Sequence, residues 1–164
     1  MRVVFARTCV VGFCLTVLFL ASSCGGLLEK RQVEKNREKW RKNWPTSYPM
    51  VQSRGCFCVS YGDLELVVEG GEIVEVRDPE TGGPAPSWDK EGTLEPEDVR
   101  GLYLTIDELF DEIEEMRKER NSVFEVTYDE EFGYPTSIDV DGRRWLQDDE
   151  LFIGVEDVKA LSTD

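Results

Sequence analysis

The chain contains no histidine, and its basic residues are far fewer than its acidic ones. Its 164 residues include 19 Lys and Arg against 34 Asp and Glu, so the formal net charge at pH 7 is −15. The lack of histidine excludes Ser-His-Asp and Cys-His catalytic sets, histidine-ligated zinc and an imidazole pH switch. The acidic excess argues against nucleic acid as a partner, because its phosphates would repel the chain.

The N-terminus contains a hydrophobic run that is too short to span a membrane. Arg2 and Arg7 precede Thr8–Leu20, an uncharged run of 13 residues, and the small residues 21–23 follow it. A spanning helix needs roughly 20 apolar residues. A positive start, a short apolar run and a small-residue cleavage site are typical of a secretory signal peptide. The sequence therefore predicts that residues 1–23 are a signal peptide.

Cys24 follows the small residues directly, as in a bacterial lipobox, although Ala21 stands where such sites usually have Leu. Its thiol would carry diacylglycerol, and each buried CH₂ contributes about 0.8 kcal/mol to membrane attachment. We therefore expect an exported protein, lipid-anchored at Cys24 to the cell membrane or the outer membrane and facing the periplasm or the exterior. Gly25 favours the outer membrane by resemblance to Gram-negative lipoproteins. Ordinary secretion with a free Cys24 is the alternative.

Charge is segregated along the rest of the chain. Residues 25–45 hold seven basic and three acidic residues, a net of +4, and residues 46–164 hold ten basic and 31 acidic, a net of −21. We predict a basic helical juxtamembrane segment over residues 24–45 and an acidic domain over residues 46–164. The basic segment would suit an anionic bilayer face. The preferred interpretation is an ordinary amphipathic helix with Val33, Trp40 and Trp44 on one face, and the two roles can both hold.

Helix and strand signals follow one another without a βαβ alternation. The predicted elements are a helix over Leu27–Trp44, extended structure over Ser47–Ser60, a hairpin at Gly70-Gly71, a long loop over Asp78–Val99, a helix capped by Thr105 and Glu108, and strands at Phe124–Tyr128, Ile138–Val140 and Leu151–Val155. A three-residue hairpin loop is preferred, because it aligns Leu66 with Val76 and Val68 with Val74. The order predicts an α+β fold: an antiparallel β-sheet of hairpins with one amphipathic helix packed on a face, preceded by an N-terminal helix.

Several motifs, taken together, are similar to those of a known family. They are Tyr48, Cys56-Phe57-Cys58, Gly70-Gly71, the Thr-Ile-Asp-Glu-Leu-Phe run from Thr105, Tyr128, Gly133-Tyr134-Pro135, Ile138-Asp139, Asp141 and Asp148-Asp149-Glu150. In this order they resemble a bacterial family of exported proteins and lipoproteins, domain of unknown function 6174, over roughly Trp44–Val158. The resemblance implies a compartment and a fold, and it implies no activity.

The cysteines suggest one intramolecular pair. Cys9 and Cys14 would leave with the signal peptide and Cys24 would carry lipid, so Cys58 remains as a partner for Cys56. Residues two apart in a strand share a face, and thiols outside the cytoplasm tend to oxidise. We predict a Cys56–Cys58 disulfide, with free buried thiols, metal ligation and a redox function as alternatives.

One acidic segment partly matches a calcium-binding loop. Asp139, Asp141 and Asp148 take the spacing of the third, fifth and twelfth positions of an EF-hand loop. Ser137 stands where the first Asp belongs, and both sides of the segment are predicted to be strand rather than helix. Acidic residues of a hairpin turn are the preferred interpretation, and a weak calcium site is the alternative.

The sequence contains no nucleophile elbow, phosphate-binding glycine loop or metalloprotease motif. We expect no enzyme and no cofactor, but a membrane-anchored cell-envelope lipoprotein with a small non-catalytic domain that binds an unknown partner. The acidic charge favours a basic partner surface. Trp88 and Tyr134 are the candidate binding residues; core or hairpin packing is the preferred role for such aromatic residues, and Trp88 in the long loop is the best exception. A calcium-binding or envelope-stabilising structural lipoprotein is the second hypothesis, and a carboxylate hydrolase is the third.

Overall fold

The computed structural model describes residues 25–43, 46–56, 60–87, 92–118, 123–142 and 150–160. Its elements, in chain order, are α1 (Gly25–Asn43), β1 (Tyr48–Cys56), β2 (Leu64–Glu69), β3 (Glu72–Arg77), α2 (Pro96–Val99), α3 (Ile106–Met116), β4 (Val123–Tyr128), β5 (Pro135–Asp141) and β6 (Glu150–Glu156). The chain divides into two compact units between Glu34 and Lys35, and every strand belongs to the second unit.

The described strands form one six-stranded antiparallel sheet in the order β3-β2-β1-β6-β5-β4. Each half is a meander of three consecutive strands, and α3 comes between the two halves in sequence. The first and last strands join the halves at the centre, where Arg54 pairs with Ile153. The predicted α+β class is confirmed, and β3 and β4 are the two edges of the sheet.

One face of the sheet, which we call the covered face, packs against α3. The Tyr48 hydroxyl on β1 accepts a hydrogen bond from the Ile106 N–H at 3.0 Å. The Gln52 amide donates to the Leu104 carbonyl at 2.9 Å and accepts from the Leu104 N–H at 3.0 Å. The core lies between this face and α3, and its buried apolar side chains include Met50, Leu66, Val68, Leu109, Phe110, Ile113, Ile138 and Ile153.

Helix α3 begins where the sequence predicts. Thr105 Oγ1 accepts from the Glu108 N–H at 3.3 Å, and the Glu108 carboxylate accepts from the Thr105 N–H at 2.8 Å. Its buried residues recur at helical spacing and are Ile106, Leu109, Phe110 and Ile113. The predicted capping box and apolar stripe are therefore confirmed, apart from Met116, which is only partly buried.

The β2–β3 hairpin differs from the predicted one in its turn. Two residues, Gly70-Gly71, close it with φ values of +61° and +88°, as a type I′ turn requires. Leu66 pairs with Val76 as predicted, but Val68 pairs with Ile73 because the register shifts just before Val68. The predicted three-residue loop is wrong, since a bulge within the strand restores the apolar alignment.

The predicted loop over Asp78–Val99 contains one helical turn, α2, at its end. Pro96 starts this turn, since its missing N–H would have no helical partner at that position. The Asp78 carboxylate accepts from the backbone N–H groups of Glu80 and Thr81, both at 2.9 Å, which closes the turn after β3.

The second half of α1 packs on the domain through aromatic contacts. Trp40 is 2% exposed, and its ring meets Tyr48 and Tyr134 edge-on with centroids 5.1 and 6.0 Å apart. The Arg37 guanidinium lies over the Phe110 ring at 5.4 Å. Trp44, the last member of the predicted apolar face, lies outside the described residues.

Ion pairs also join α1 to α3. Arg37 pairs with Asp111 and, at 3.4 Å, with Glu114, while Arg41 pairs with Asp107 at 3.2 Å. Acidic residues of α3 therefore neutralise part of the positive charge of α1. The Arg37 side chain is only 15% exposed, but Asp111 is 72% exposed, so this pair remains open to water like an ordinary surface pair.

Candidate functional site

The face of the sheet opposite α3, which we call the open face, carries the candidate binding surface. One row of neighbouring residues across it is Glu125, Asp139, Phe152 and Gly55. Phe152 is 40% exposed, an unusual position for a phenylalanine near the middle of a sheet. The alternation along β6 places Phe152 outward because Ile153 points into the core.

Acidic side chains lie beside Phe152 on the β5 side of the open face. Glu125 lies directly opposite Asp139 on the next strand, and Asp141 lies opposite Glu150. Like charges in such positions are destabilising, and no basic residue on β4, β5 or β6 offsets the Glu125–Asp139 pair. The arrangement is electrostatically prepared for a positively charged group.

A glycine and several hydroxyl groups lie beside the aromatic ring. A Cβ at Gly154 would overlap Ser53 Oγ and lie 3.3 Å from Cε1 of Phe152, so glycine lets the ring lie close over the strand. Thr127 Oγ1 is hydrogen-bonded to Thr136 Oγ1 at 2.7 Å and to Ser137 Oγ at 2.8 Å. The open face thus offers an aromatic ring, carboxylates and hydroxyls, groups that can contact a cationic or apolar ligand.

The two aromatic residues predicted to bind a partner have different positions. Tyr134 is half-buried, and its ring contacts Trp40. Burial raises the pKa of the Tyr134 hydroxyl, and the nearby Asp129 carboxylate adds to that rise. Packing thus accounts for this ring, and its binding role stays a prediction. Trp88 lies outside the described residues.

The predicted cysteine sites lie at the margin of the described structure. Cys56 ends β1 opposite Leu151 and is disulfide-bonded. Cys58 and Cys24 lie outside the described residues. The Cys56–Cys58 pairing and the lipidation of Cys24 therefore stay predictions.

Only some of the predicted metal ligands lie within the described residues. Asp139 and Asp141 lie on β5 and face the open side of the sheet, while Asp148 lies outside the described residues. Within the described ranges, no group of three or more Cys, Asp or Glu residues could hold a metal ion. The calcium site stays a prediction, because one of its ligands is not described.

A small polar pocket of about 140 Å³ lies between the β2–β3 turn and the start of α3. It is lined by Gly71, Glu72, Ile73, Pro96, Arg100, Gly101, Tyr103, Thr105 and Glu108. The capping box of α3 already uses the polar groups of Thr105 and Glu108. The pocket therefore has fewer groups for a ligand than its composition suggests.

Sequence reasoning missed two features of this arrangement. The first is the set of polar side chains that fix the segment before α3, since Arg54 donates to the Leu102 carbonyl at 2.7 Å and Tyr103 donates to the Gly62 carbonyl at 2.7 Å. The second is the pairing of Phe152 with Asp139. The alternation of Leu151, Ile153 and Val155 would have placed Phe152 on the opposite face.

The chain matches the model of a family of unknown function, DUF6174, over residues 32–160. The chain belongs to DUF6174. The matched region of the DUF6174 domain begins within α1 and ends beyond β6, so it includes the half of α1 that packs on the sheet. No curated protein and no solved structure matches the chain. The described part of the chain contains no helix that is long and apolar enough to cross a membrane.

Proposed function

We propose that the protein is a lipid-anchored protein of the bacterial cell envelope whose DUF6174 domain binds a basic partner and catalyses no reaction. The observation that carries the binding role is the open face, where the exposed Phe152 lies beside Asp139, and Asp139 faces Glu125 with no basic residue on either of their two strands. Central hydrophobic anchors ringed by polar groups are typical of protein interfaces.

The N-terminal sequence supports the anchoring role. Residues 1–23 have the layout of a signal peptide, and Cys24 stands at the cleavage site. Seven residues separate Cys24 from the start of the family match at residue 32. Such a short spacer would keep the domain close to the membrane surface.

The composition supports a role without catalysis. The chain has no histidine, the side chain most often used as a general acid or base near neutral pH. The buried polar groups of the covered face, such as Gln52 and Tyr48, are engaged with the backbone around the start of α3. These groups position the helix and are not directed at an open site.

Photo-crosslinking in cells tests the binding role. A crosslinking amino acid at Phe152 is expected to capture a specific partner from the envelope, and the same group at Lys118, in the turn just after α3, is the matched surface control. Capture should fall when Glu125→Gln and Asp139→Asn are combined. It should persist with Glu80→Gln and Glu97→Gln, which remove two exposed charges elsewhere. Equal capture from positions 152 and 118 would contradict the proposal.

Cell fractionation tests the anchoring role. Cys24→Ser removes the only thiol at the cleavage site, so the protein should move from the membrane fraction to the soluble fraction. Metabolic labelling with a fatty-acid analogue should disappear in the same variant. A Cys24→Ser protein that stays in the membrane fraction would show that another feature holds it there.

A further inference from the structure

The two edges of the sheet are protected to different degrees. At the β3 edge the following chain folds back, so that Pro84 forms an isolated bridge with Arg77. The Ala85 N–H also donates to the Val76 carbonyl at 3.4 Å. Natural proteins commonly cover or charge an edge strand in this way, because its unpaired backbone groups would otherwise recruit another strand.

The β4 edge has no such cover within the described part of the chain. Val123–Tyr128 pairs with β5 on one side, and on its outer side no hydrogen bond joins it to another described residue. The strand has six residues, Val-Phe-Glu-Val-Thr-Tyr, without proline or lysine. An exposed strand of this length and composition is a template for a further strand.

The side chains of β4 divide between the two faces of the sheet. Glu125 lies on the open face, directly opposite Asp139. Phe124, Val126 and Tyr128 point to the covered face and are only partly buried. A strand added beside β4 would therefore meet carboxylates on one face and apolar side chains on the other, at alternate positions.

We infer that β4 accepts an extended, basic segment of a partner protein as a further strand, with Lys or Arg beside Glu125 and apolar side chains beside Phe124 and Val126. This inference rests on the proposed binding function and specifies the chemistry of its partner. Backbone hydrogen bonds would supply affinity, and the alternation of side chains would supply specificity.

Charge selects this partner over a second copy of the chain. Two copies of net charge −15 repel each other, and Glu125 adds an acidic group at the middle of the contact. The same charge that opposes pairing between copies attracts a cationic strand. Self-association through β4 is thus the alternative that the experiment must distinguish.

Synthetic peptides test the inference on the full mature protein. The first peptide alternates lysine and valine, and a second has the same composition with the two residue types in separate blocks. Two further peptides keep the alternating order and are N-methylated at every lysine or at every valine. Binding is measured by fluorescence anisotropy, and hydrogen–deuterium exchange reports which backbone amides are protected.

The alternating peptide should bind and slow amide exchange within Val123–Tyr128. One of the N-methylated peptides should bind about a hundredfold more weakly, because it loses about three backbone hydrogen bonds at about 1 kcal/mol each. Glu125→Lys should weaken binding about fivefold, as expected for an exposed charge pair. Glu72→Lys makes the same charge change on β3, the opposite edge strand, which the following chain protects. It should leave affinity within about twofold.

Four results would overturn the inference. Equal binding of both N-methylated peptides would mean that attraction is electrostatic only, and protection confined to other strands would place the contact elsewhere. Concentration-dependent dimers with protected β4 amides and no peptide would assign the edge to a second copy. If the peptides fail to bind while position 152 still captures a partner in cells, strand addition is wrong and the proposed function stands.

Discussion

The covered and open faces of the sheet are built by the same strands but meet opposite physical demands. On the covered face, polar groups such as Gln52 are buried and have backbone partners. On the open face, Glu125 and Asp139 lie side by side with no base on their strands to offset them. A fold selected only for stability would avoid that second arrangement. The covered face therefore holds the core, and the acidic pair on the open face supports the proposal that this face binds a partner.

The largest expected difference between the two faces is in how much stability the protein loses when an aromatic ring is removed. Phe110 is fully buried on α3 and stacks on Tyr128 with ring centroids 6.2 Å apart. Phe110→Ala should lower the free energy of unfolding by about 3–5 kcal/mol, because it leaves a cavity. Phe152→Ala on the open face should lower it by less than about 1 kcal/mol. Urea unfolding followed by circular dichroism measures both, and equal losses would contradict the division into two faces.

The next largest effect concerns the buried amide. Gln52→Ala leaves the N–H and the carbonyl of Leu104 without their partner, so unfolding should become easier by about 2–4 kcal/mol. Ser53→Ala, the neighbouring change on the open face, should cost less than about 0.5 kcal/mol. Faster amide exchange at the start of α3 in the Gln52 variant would show that this side chain positions the helix. A loss no larger than that of Ser53→Ala would mean that water replaces the amide.

A smaller effect is expected where α1 meets the β4–β5 turn. Gly133 has φ of +84°, and a Cβ there would lie 2.7 Å from the backbone carbonyl of Asn36. Gly133→Ala should therefore cost about 2–3 kcal/mol, of which about 1 kcal/mol is backbone strain. Gly82→Ala is the matched control, because φ is +68° and a Cβ there meets nothing within 4 Å. It should cost about 1 kcal/mol, and equal thermal shifts would argue against close packing of α1 on the turn.

Local signals in the sequence predicted the elements of this fold better than their partners. The capping box of Thr105 and Glu108 and the apolar stripe of α3 involve residues within a few positions of each other, so they could be recognised directly. The register of the β2–β3 hairpin could not, since the bulge before Val68 is decided by packing. Gly70 and Gly71 favoured a two-residue turn. The prediction chose a three-residue loop instead, because that loop aligned the apolar residues of the two strands.

The candidate site was harder to predict than the fold. Strand alternation separates Phe152 from Ile153, but only the position of α3 decides which of the two is exposed. Tyr134 was predicted to bind a partner because it is an aromatic residue in a turn. In the structure Trp40, which is distant in sequence, packs against it. The acidic pair on the open face is equally non-local, because Glu125 and Asp139 meet only when β4 and β5 pair in this register.

The smallest predicted effect is also the most direct test of the open face. Asp139→Asn removes one charge of a repelling pair, so it should stabilise the domain by a few tenths of a kcal/mol at low salt, and the gain should fade as salt screens the repulsion. In a double-mutant cycle with Glu125→Gln, the two gains should fall short of additivity, since either change alone relieves the repulsion. Adding millimolar calcium distinguishes a calcium site at Asp139 from a face that binds a basic partner. A calcium site would make the wild-type protein gain more thermal stability than Asp139→Asn, whereas a face kept acidic for a basic partner would give both proteins the same small response.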